Sequence, residues 1–460
     1  MQHRFDPTIL REYDIRGIVG STLHEADARA IGQAFATMAR ARGASKIAVG
    51  YDGRLSSPAM ADAVVQGLTA GGVDVVRIGM SPTPMLYFAC YHLTDVDGGI
   101  QITGSHNPPD YNGFKMILQK KPFFGLDIQE IGRIAAAGEF SSGDGRISEE
   151  NINQAYVDRM LADYAPGRAL KVVWDCGNGA TGPTVEALVA RLPGEHTVLN
   201  APVDGTFPVH HPDPTLPETL EQLQAAVKAA DAELGIAFDG DGDRIGVIDG
   251  NGEVLWADQL LVMLAEDVLA RHPGATIIAD VKASQVLFDA VAASGGQPMM
   301  YRTGHSLIKA KMAEVGAPLA GEMSGHIFYA DGYYGYDDAL YVAVRTLGVL
   351  AAGTGTLADF RETLPVVMNT PELRFTCAED RKFAVPDEVH QRLKASGAQV
   401  DATDGVRVTT PDGWWLLRAS NTQDVLVARC EAKDEPGLLR LKQALAAQLT
   451  ASGVELPAGF

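Results

Sequence analysis

One short pattern occurs four times in this sequence: an apolar, strand-like run that ends on an aspartate. The runs are Val49–Asp52, Val172–Asp175, Ile236–Asp239 and Ile277–Asp280. Helical patterns precede and separate them, and the one before the first run places Ala28, Ile31, Phe35 and Met38 on one face at helical spacing. This alternation of strand and helix predicts parallel or mixed α/β layers. Aspartate is also common after strands in general, so a repeated unit of about 100 residues is a hypothesis.

Breaks in this pattern predict the domain boundaries. The chain has 460 residues, which suggests about three or four domains. A Gly/Ser-rich segment ends near residue 150, a new helix begins near 256, and Leu364–Pro371 interrupts the pattern again. The predicted domains are 1–150, 151–255, 256–368 and 369–460. The first three are expected to be α/β domains, and alternating strands before a terminal helix predict a smaller α+β domain at the end.

Composition excludes some classes of partner. With 38 basic and 58 acidic residues, the formal net charge is −20, which argues against a nucleic-acid or membrane surface as the main partner. An anionic ligand would need locally concentrated cationic groups. The four cysteines show no metal spacing and predict buried thiols in a reducing compartment. No signal core and no apolar run of about 18 residues occurs, so a soluble cytoplasmic protein is expected.

Ser105 lies between two apolar runs that are predicted to be strands. The first run ends at Ile102 and the second is predicted over Phe114–Leu118. Pro108-Pro109 prevents a helix, and Asn112-Gly113 is a turn signal, so the serine is expected on a loop. A bare serine is a poor nucleophile and needs a base, a metal or a transferable group. A polar surface loop is the alternative interpretation.

The segment Asp239–Arg244 alternates three carboxylates with glycines and is the strongest chemical signal. Such hard oxygen ligands suit Mg²⁺ or Ca²⁺. An EF-hand is rejected, because its sixth position is Arg244 instead of glycine and its twelfth is Gly250 instead of glutamate. A solvated acidic turn is the structural alternative, although three convergent carboxylates without a cation would repel each other. Arg244 beside them suggests a phosphoryl group held between metal and guanidinium.

Two further loops carry polar groups that suit a phosphorylated sugar. Arg418–Thr422 offers an arginine, two hydroxyls and an amide for a phosphate dianion. Gly321–His326 offers a carboxylate, a hydroxyl and an imidazole that could bind sugar hydroxyls. Arg302–Ser306 and Lys282 supply further donors. Each of these segments alone is weak evidence. His305 or His326 could instead be a core residue whose ring nitrogens are both hydrogen-bonded.

Taken in order, the loops Thr103–Pro108, Asp239–Arg244, Gly321–His326 and Arg418–Thr422 resemble those of bacterial phosphomannomutase/phosphoglucomutases of the α-D-phosphohexomutase superfamily. The resemblance covers nearly the whole chain. It implies three similar mixed α/β domains and a C-terminal domain related to the TATA-binding-protein fold. It also implies a heart-shaped arrangement in which one loop from each domain meets in a central cleft.

The same resemblance implies the roles of individual residues. Ser105 would be carried as phosphoserine and would hold one Mg²⁺ together with Asp239, Asp241 and Asp243. Glu322 and Ser324 would bind sugar hydroxyls. The non-reacting phosphate would be held by Arg418, Ser420, Asn421 and Thr422. The other cleft residues would be Tyr13, Arg16, Lys115, Arg244, Lys282, His305 and His326. Among them, the candidates for proton transfer or charge stabilisation are Arg16, Lys115 and His326.

The implied reaction is the interconversion of hexose 1-phosphates and 6-phosphates of glucose and mannose, with glucose 1,6-bisphosphate as activator and intermediate. Hexose phosphates would be the partners of a monomer or weak homodimer. The alternatives are a phosphoglucosamine mutase, a metal-dependent sugar phosphatase and a non-catalytic binding protein. Met323 argues against the first, because those enzymes usually have glutamine there. Gln423-Asp424 departs from the family's proline, and its carboxylate could either weaken phosphate binding or face outward.

Overall fold

A computed structural model describes residues 2–165, 167–421 and 423–457 of the protein. These residues fold into four successive sheets with helices packed on them. The strands of the first sheet are β1 (Ile15–Ile18), β2 (Lys46–Tyr51), β3 (Asp74–Met80), β4 (Gly98–Ile102), β5 (Tyr111–Leu118), β6 (Lys121–Pro122) and β7 (Ile147–Glu149). Its helices are α1 (Glu25–Ala41), α2 (Ser57–Ala70), α3 (Thr83–His92) and α4 (Leu126–Ala137).

The second and third sheets follow directly. The second contains β8 (Leu170–Asp175), β9 (Gly194–Leu199), β10 (Leu234–Phe238), β11 (Ile245–Asp249) and β12 (Val254–Leu255), with helices α5 (Asn153–Leu161), α6 (Gly182–Val189) and α7 (Glu221–Ala230). A 3₁₀ helix spans Pro217–Thr219. The third contains β13 (Thr276–Asp280), β14 (Gln297–Tyr301), β15 (Leu319–Gly321), β16 (Ile327–Tyr329) and β17 (Tyr336–Asp337). Its helices are α8 (Ala257–Arg271), α9 (Gln285–Ala293), α10 (His305–Val315), α11 (Ala339–Ala352) and α12 (Leu357–Thr363).

The fourth sheet differs from the others because all its strand pairs are antiparallel. Its strands are β18 (Met368–Asn369), β19 (Leu373–Thr376), β20 (Gln399–Asp401), β21 (Val406–Thr410), β22 (Gly413–Ala419) and β23 (Val425–Ala432). Its helices are α13 (Glu379–Lys382), α14 (Ala384–Ala395) and α15 (Glu435–Ala451). This is the α+β domain expected at the end of the chain, and its likeness to the TATA-binding-protein fold stays a prediction.

The first three sheets share one strand order. Four strands lie in the orders β5-β4-β2-β3, β11-β10-β8-β9 and β16-β15-β13-β14. In each set, the first strand of the unit is parallel to the second and third, and the fourth pairs antiparallel with the third. The repetition of α/β units is therefore confirmed by strand order.

The four aspartates that suggested the repeat occupy two different positions in it. Asp52, Asp175 and Asp280 stand at the end of the first strand of each unit, whereas Asp239 follows β10, the third strand of its unit. The sequence pattern thus did not distinguish the end of the first strand from the end of the third, because an apolar run followed by aspartate occurs at both. Only the third-strand position carries the acidic segment.

The turn expected at Asn112-Gly113 is wrong, because both residues lie inside β5. Strand β1 pairs with this part of β5, and a Cβ on Gly113 would lie 2.2 Å from the carbonyl oxygen of Ile15. The glycine therefore permits close approach of a neighbouring strand and does not form a turn. The loop that carries Ser105 consequently ends at residue 110.

Apolar side chains form a core that joins the first three domains. The largest cluster includes Met85 from the first domain, Trp174 from the second and Leu319 from the third. The fourth domain has a separate cluster around Trp415. The four cysteines are free and buried, as expected. Among the described residues, no single helix is long and apolar enough to cross a membrane, and one bent pair, α11 with α12, passes by length and composition alone.

We expect the packing of α1 on α2 to be sensitive to one added methyl group. A Cβ on Gly67 would lie 2.1 Å from the carbonyl oxygen of Arg29, so Gly67→Ala should lower the free energy of unfolding by about 1–3 kcal/mol. In helix α11, a Cβ on Gly348 would meet nothing closer than 3.6 Å, so Gly348→Ala is the matched control. Chemical denaturation should show no loss for the control, and equal effects of both substitutions would contradict this account.

Candidate active site

Four hairpin loops carry the polar groups singled out in the sequence. They are residues 103–110 between β4 and β5, 239–244 between β10 and β11, 322–326 between β15 and β16, and 420–424 between β22 and β23. The first three leave the third strand of their units, so the same position in a repeated fold supplies three different sets of side chains. Ser105 contacts Asp239 and Arg244 contacts His326, which joins the first three loops, and Tyr13 of the first domain contacts Asn421 of the fourth.

Ser105 is buried and faces the acidic loop. Its hydroxyl donates a hydrogen bond to Asp239 Oδ2 at 2.8 Å, and Nδ1 of the neighbouring His106 lies 3.3 Å from the same hydroxyl oxygen. Its φ of 51° is left-handed, and its amide donates to Thr103 Oγ1 at 2.9 Å. The loop thus holds the serine in an uncommon backbone conformation with its hydroxyl beside a carboxylate.

The three aspartates of the acidic loop converge as expected. One oxygen each from Asp239, Asp241 and Asp243 lies within 4.8 Å of the others, and all three residues are fully buried. The Lys115 ammonium donates to Asp241 Oδ2 at 2.8 Å and also to Asp243. Thr103 adds a hydrogen bond to Asp241 at 3.0 Å. Thr83 at the start of α3 donates to the same Asp241 oxygen at 2.5 Å, so the Ser105 loop, strand β5 and helix α3 all supply groups that face the acidic trio.

The charges of the trio are only partly balanced by the protein. Burial, reinforced by Asp241 and Asp243, raises the pKa of Asp239 well above its ordinary value. Burial alone would also raise the pKa of Asp241, but the Lys115 ammonium and the hydrogen bonds that Asp241 accepts from Lys115 and Thr83 together outweigh burial and lower that pKa. Among the described residues, Asp241 Oδ1 and Asp243 Oδ1 are buried without a hydrogen-bond partner. Buried, unpaired carboxylate oxygens that converge in this way fit a divalent cation.

His326 connects the acidic loop to the third domain. Its Nε2 accepts a hydrogen bond from Arg244 Nε at 3.0 Å, which leaves the ring proton on Nδ1. Nδ1 lies 2.9 Å from Asp337 and 3.6 Å from Asp243. Lys309 donates to Asp337 at 2.8 Å. Asp243, His326 and Asp337 form a second metal-compatible group, but the Lys309 ammonium already compensates the charge of Asp337.

The predicted sugar-binding groups form one short hydrogen-bonded chain. Glu322 Oε1 accepts from the Gly304 amide at 2.6 Å, and Glu322 Oε2 accepts from Ser324 Oγ at 3.0 Å. His305 begins α10 and stacks on His326 with ring centres 5.5 Å apart. Burial and Lys309 lower the pKa of His305 well below its ordinary value. The Lys282 ammonium lies 3.3 Å from Glu372 of the fourth domain.

The predicted phosphate loop contacts the first and third domains through Tyr13. The Tyr13 hydroxyl donates to the Thr303 carbonyl oxygen at 2.8 Å and accepts from Asn421 Nδ2. Arg418 is buried and donates from Nε to Asp404 Oδ2 at 2.9 Å, and that oxygen also accepts from the Thr303 amide at 3.0 Å. Asp404 therefore orients Arg418 and links the fourth domain to Thr303 of the third domain.

The remaining described residues of loop 420–424 show which way the Asp424 carboxylate faces. Ser420 accepts a hydrogen bond from the Gln423 amide at 3.1 Å, and Thr422 lies outside the described residues. The Asp424 side chain is 70% exposed and 3.8 Å from Lys382. The additional carboxylate thus faces outward, which is one of the two alternatives that the sequence left open.

Cationic side chains are concentrated at this site, as an acidic protein with an anionic ligand requires. The described cations are Arg16, Lys115, Arg244, Lys282, Lys309 and Arg418. Arg16 donates to Asp14 at 2.5 Å, and its buried Nε has no hydrogen-bond partner among the described residues. Sequence reasoning missed Lys309, Asp337 and Asp404, because none of them lies in a motif with chemical spacing.

Models of four phosphoglucomutase/phosphomannomutase domains match the chain. Alpha/beta/alpha domain I matches residues 7–142, domain II residues 154–252, domain III residues 256–367 and the C-terminal domain residues 372–448. These matches together cover most of the sequence in the order expected from the loops.

Similar proteins extend over the same length. A phosphomannomutase/phosphoglucomutase from Pseudomonas aeruginosa is 43% identical over 98% of each chain, and a phosphoglucomutase from Neisseria gonorrhoeae is 43% identical over 94% of this chain and 95% of its own. The crystal structure of a phosphoglucomutase/phosphomannomutase family protein from Burkholderia thailandensis has a TM-score of 0.94 and 44% identity, covering 98% of this chain and 100% of that one. The chain therefore belongs to the phosphoglucomutase/phosphomannomutase family of mutases.

Proposed function

We propose that this mutase interconverts the 1-phosphates and 6-phosphates of glucose and mannose, with Ser105 as the phosphoryl carrier and a hexose 1,6-bisphosphate as the intermediate. The observation that carries the proposal is the Ser105 hydroxyl, buried 2.8 Å from Asp239 at the edge of three convergent carboxylates. A phosphate there adds nearly two negative charges, which the cations around the loop would balance. The names of the close relatives support the same activity.

One Mg²⁺ would be held by Asp239, Asp241, Asp243 and the phosphate on Ser105. The two buried carboxylate oxygens without partners support this assignment. When bound, the ion supplies charge neutralisation and Lewis-acid polarisation to a phosphoryl group. Lys115 contributes a fixed positive charge against two of the same carboxylates.

In the transfer step, the bond between phosphorus and the Ser105 oxygen breaks as a bond to a free sugar hydroxyl forms. The hydroxyl proton must pass to a group that can both accept and return it. Among Arg16, Lys115 and His326, we assign this role to His326, because imidazole does both. Its Nε2 accepts from Arg244 in this structure, so it would take the proton when that hydrogen bond is released. Arg16 and Lys115 are fixed donors that stabilise the charge spread over the phosphoryl oxygens.

The other loops would orient the sugar. Glu322 and Ser324 are linked by a hydrogen bond and offer oxygens to sugar hydroxyls. Arg418, Ser420, Asn421 and Thr422 would hold the phosphate that does not react, while Tyr13, Arg244, Lys282, His305 and His326 line the same cleft. The bisphosphate must turn around before it returns a phosphate to Ser105, so one phosphate site accepts both ends. A phosphate-binding loop on a domain with its own hydrophobic core, as the fourth domain has around Trp415, can loosen and close again.

A phosphoglucosamine mutase is not favoured. Met323 stands in the sugar loop, where its sulfur accepts a contact from Arg429 Nη1. The ratio of kcat/KM for glucosamine 1-phosphate to that for glucose 1-phosphate distinguishes the two activities. Release of inorganic phosphate instead of isomerisation would identify a phosphatase.

Ser105→Ala should reduce kcat for glucose 1-phosphate by about 1,000-fold or more, because the group that carries the phosphate is removed. Intact-mass measurement after incubation with glucose 1,6-bisphosphate should show one added phosphate on the wild type and none on the variant. The circular dichroism spectrum should be unchanged. Near-normal single-turnover transfer in the variant would refute the carrier role.

Removal of divalent cations should abolish activity, and added Mg²⁺ should restore it. Asp243→Asn should raise the Mg²⁺ concentration for half-maximal activity by about tenfold or more, and calorimetry should show weaker Mg²⁺ binding. Asp95→Asn is the control, because that carboxylate is 68% exposed and outside the site. Equal Mg²⁺ dependence of both variants would contradict the assignment of the ligands.

Asp404→Asn should raise the KM for glucose 1-phosphate about fivefold with little change in kcat. The substitution keeps the side chain's size but removes the charge that orients Arg418, a loss of about 1 kcal/mol. Asp424→Asn is the matched control in the neighbouring loop, because its side chain faces outward. Steady-state kinetics should give the control a wild-type KM, and a wild-type KM for Asp404→Asn would argue against this role.

A further inference from the structure

A buried arginine and aspartate, which follow strand β2, enclose the backbone of the Ser105 loop. We propose that Arg54 and Asp52 are positioning residues that hold Ser105 in the geometry required for phosphoryl transfer. The proposal rests on the carrier role of Ser105 stated above. Neither side chain reaches the Ser105 hydroxyl, and both act on the backbone around it.

The Arg54 side chain is fully buried, and each of its three nitrogens is used. Nη2 donates to the carbonyl oxygens of Ser105 at 2.8 Å and Asn107 at 2.6 Å. Nη1 donates to the carbonyl oxygens of Tyr111 at 3.1 Å and Pro108. One planar guanidinium therefore binds four carbonyl groups spread over the loop and the start of β5, which no other side chain type can do.

Asp52 holds the other side of the same loop. Its Oδ2 accepts from the Gly104 amide at 3.0 Å and from Arg54 Nε at 3.1 Å. Its Oδ1 accepts from the Arg54 amide at 3.0 Å and from Ser57 Oγ at 2.5 Å. The carboxylate thus fixes the guanidinium and the residue just before Ser105 together.

This arrangement matters because the Ser105 backbone is in an uncommon conformation. Its φ is 51°, in the left-handed region that non-glycine residues rarely adopt. A Cβ on Gly104 would lie 2.3 Å from the Arg54 guanidinium, so the arginine packs directly on the chain at this point. Bonds to the carbonyl of Ser105 and to the amide of Gly104 hold both sides of the strained residue in place.

The end of β13 in the third domain is equivalent to the end of β2, and comparing them shows which contacts occur in the first domain. Asp280 also ends a first strand and accepts from the Met323 amide of its site loop at 3.3 Å. Two residues later stands Lys282, whose ammonium lies 3.3 Å from Glu372 and 3.9 Å from Asp280. In both units an aspartate thus accepts a hydrogen bond from an amide of the site loop. The guanidinium that donates to four carbonyl groups is described only for the loop of Ser105. That loop must position a reacting atom, which tolerates less displacement than a binding group.

The test is Arg54→Lys, which keeps a cation beside Asp52 but cannot bind four carbonyl groups. The enzyme is loaded with glucose 1,6-bisphosphate, the phosphorylated fraction is counted by intact mass, and transfer to glucose 1-phosphate is followed in a single turnover. We expect the transfer rate per phosphorylated enzyme to fall by about 10- to 100-fold, with KM changed less than about twofold. Arg40→Lys is the control, because Arg40 also donates to two backbone carbonyls of this domain, at Gly71 and Ser142, away from Ser105.

A second variant protects the test against a failure to fold. Asp52→Asn keeps the shape and one acceptor oxygen, and it should also lower the single-turnover rate by about tenfold. A wild-type transfer rate in either folded variant would overturn the positioning role while leaving the carrier role of Ser105 intact. If the wild type takes up no phosphate on Ser105, the carrier role fails, and this inference fails with it.

Discussion

The structure of the site depends on the repulsion among three buried carboxylates. Asp239, Asp241 and Asp243 converge where water cannot screen them, and Lys115 compensates only part of their charge. A hydroxyl from another domain, Ser105, is hydrogen-bonded to this group. The acidic trio therefore sets two requirements at once: its unbalanced charge favours a bound cation, and the chain around the serine must be held firmly against the carboxylates.

The repeated strand order explains how the fold meets these requirements. Each unit ends its third strand at the candidate site, so one connection type delivers the serine, the acidic trio and the glutamate proposed to bind the sugar. The common core of the first three domains fixes those loops relative to one another. The fourth domain has a separate core and supplies the groups proposed to bind phosphate. The proposed chemistry and the proposed phosphate binding are thus assigned to domains whose main hydrophobic clusters differ.

The sequence was sufficient for the parts of the site that are contiguous. The loops around Ser105, Asp239 and Glu322 could be identified because each keeps its chemistry within a few residues. Asp337 and Asp404 could not, because their partners His326 and Arg418 are set by strand pairing and domain contacts, and neither lies in a recognisable motif. Gly113 was misread for a similar reason: its role is to admit strand β1, about 100 residues earlier in the chain.

The Tyr13 hydroxyl, which contacts both Thr303 and Asn421, has a consequence for the proposed bisphosphate intermediate. Two neutral hydrogen bonds contribute only about 1–3 kcal/mol together, so thermal motion breaks them often. Under the proposed mechanism, a contact between the first and fourth domains that is this weak would leave the sugar room to rotate between half-reactions. Reorientation would then compete with escape, and each escaped bisphosphate would leave an unphosphorylated Ser105 that must be phosphorylated again from solution.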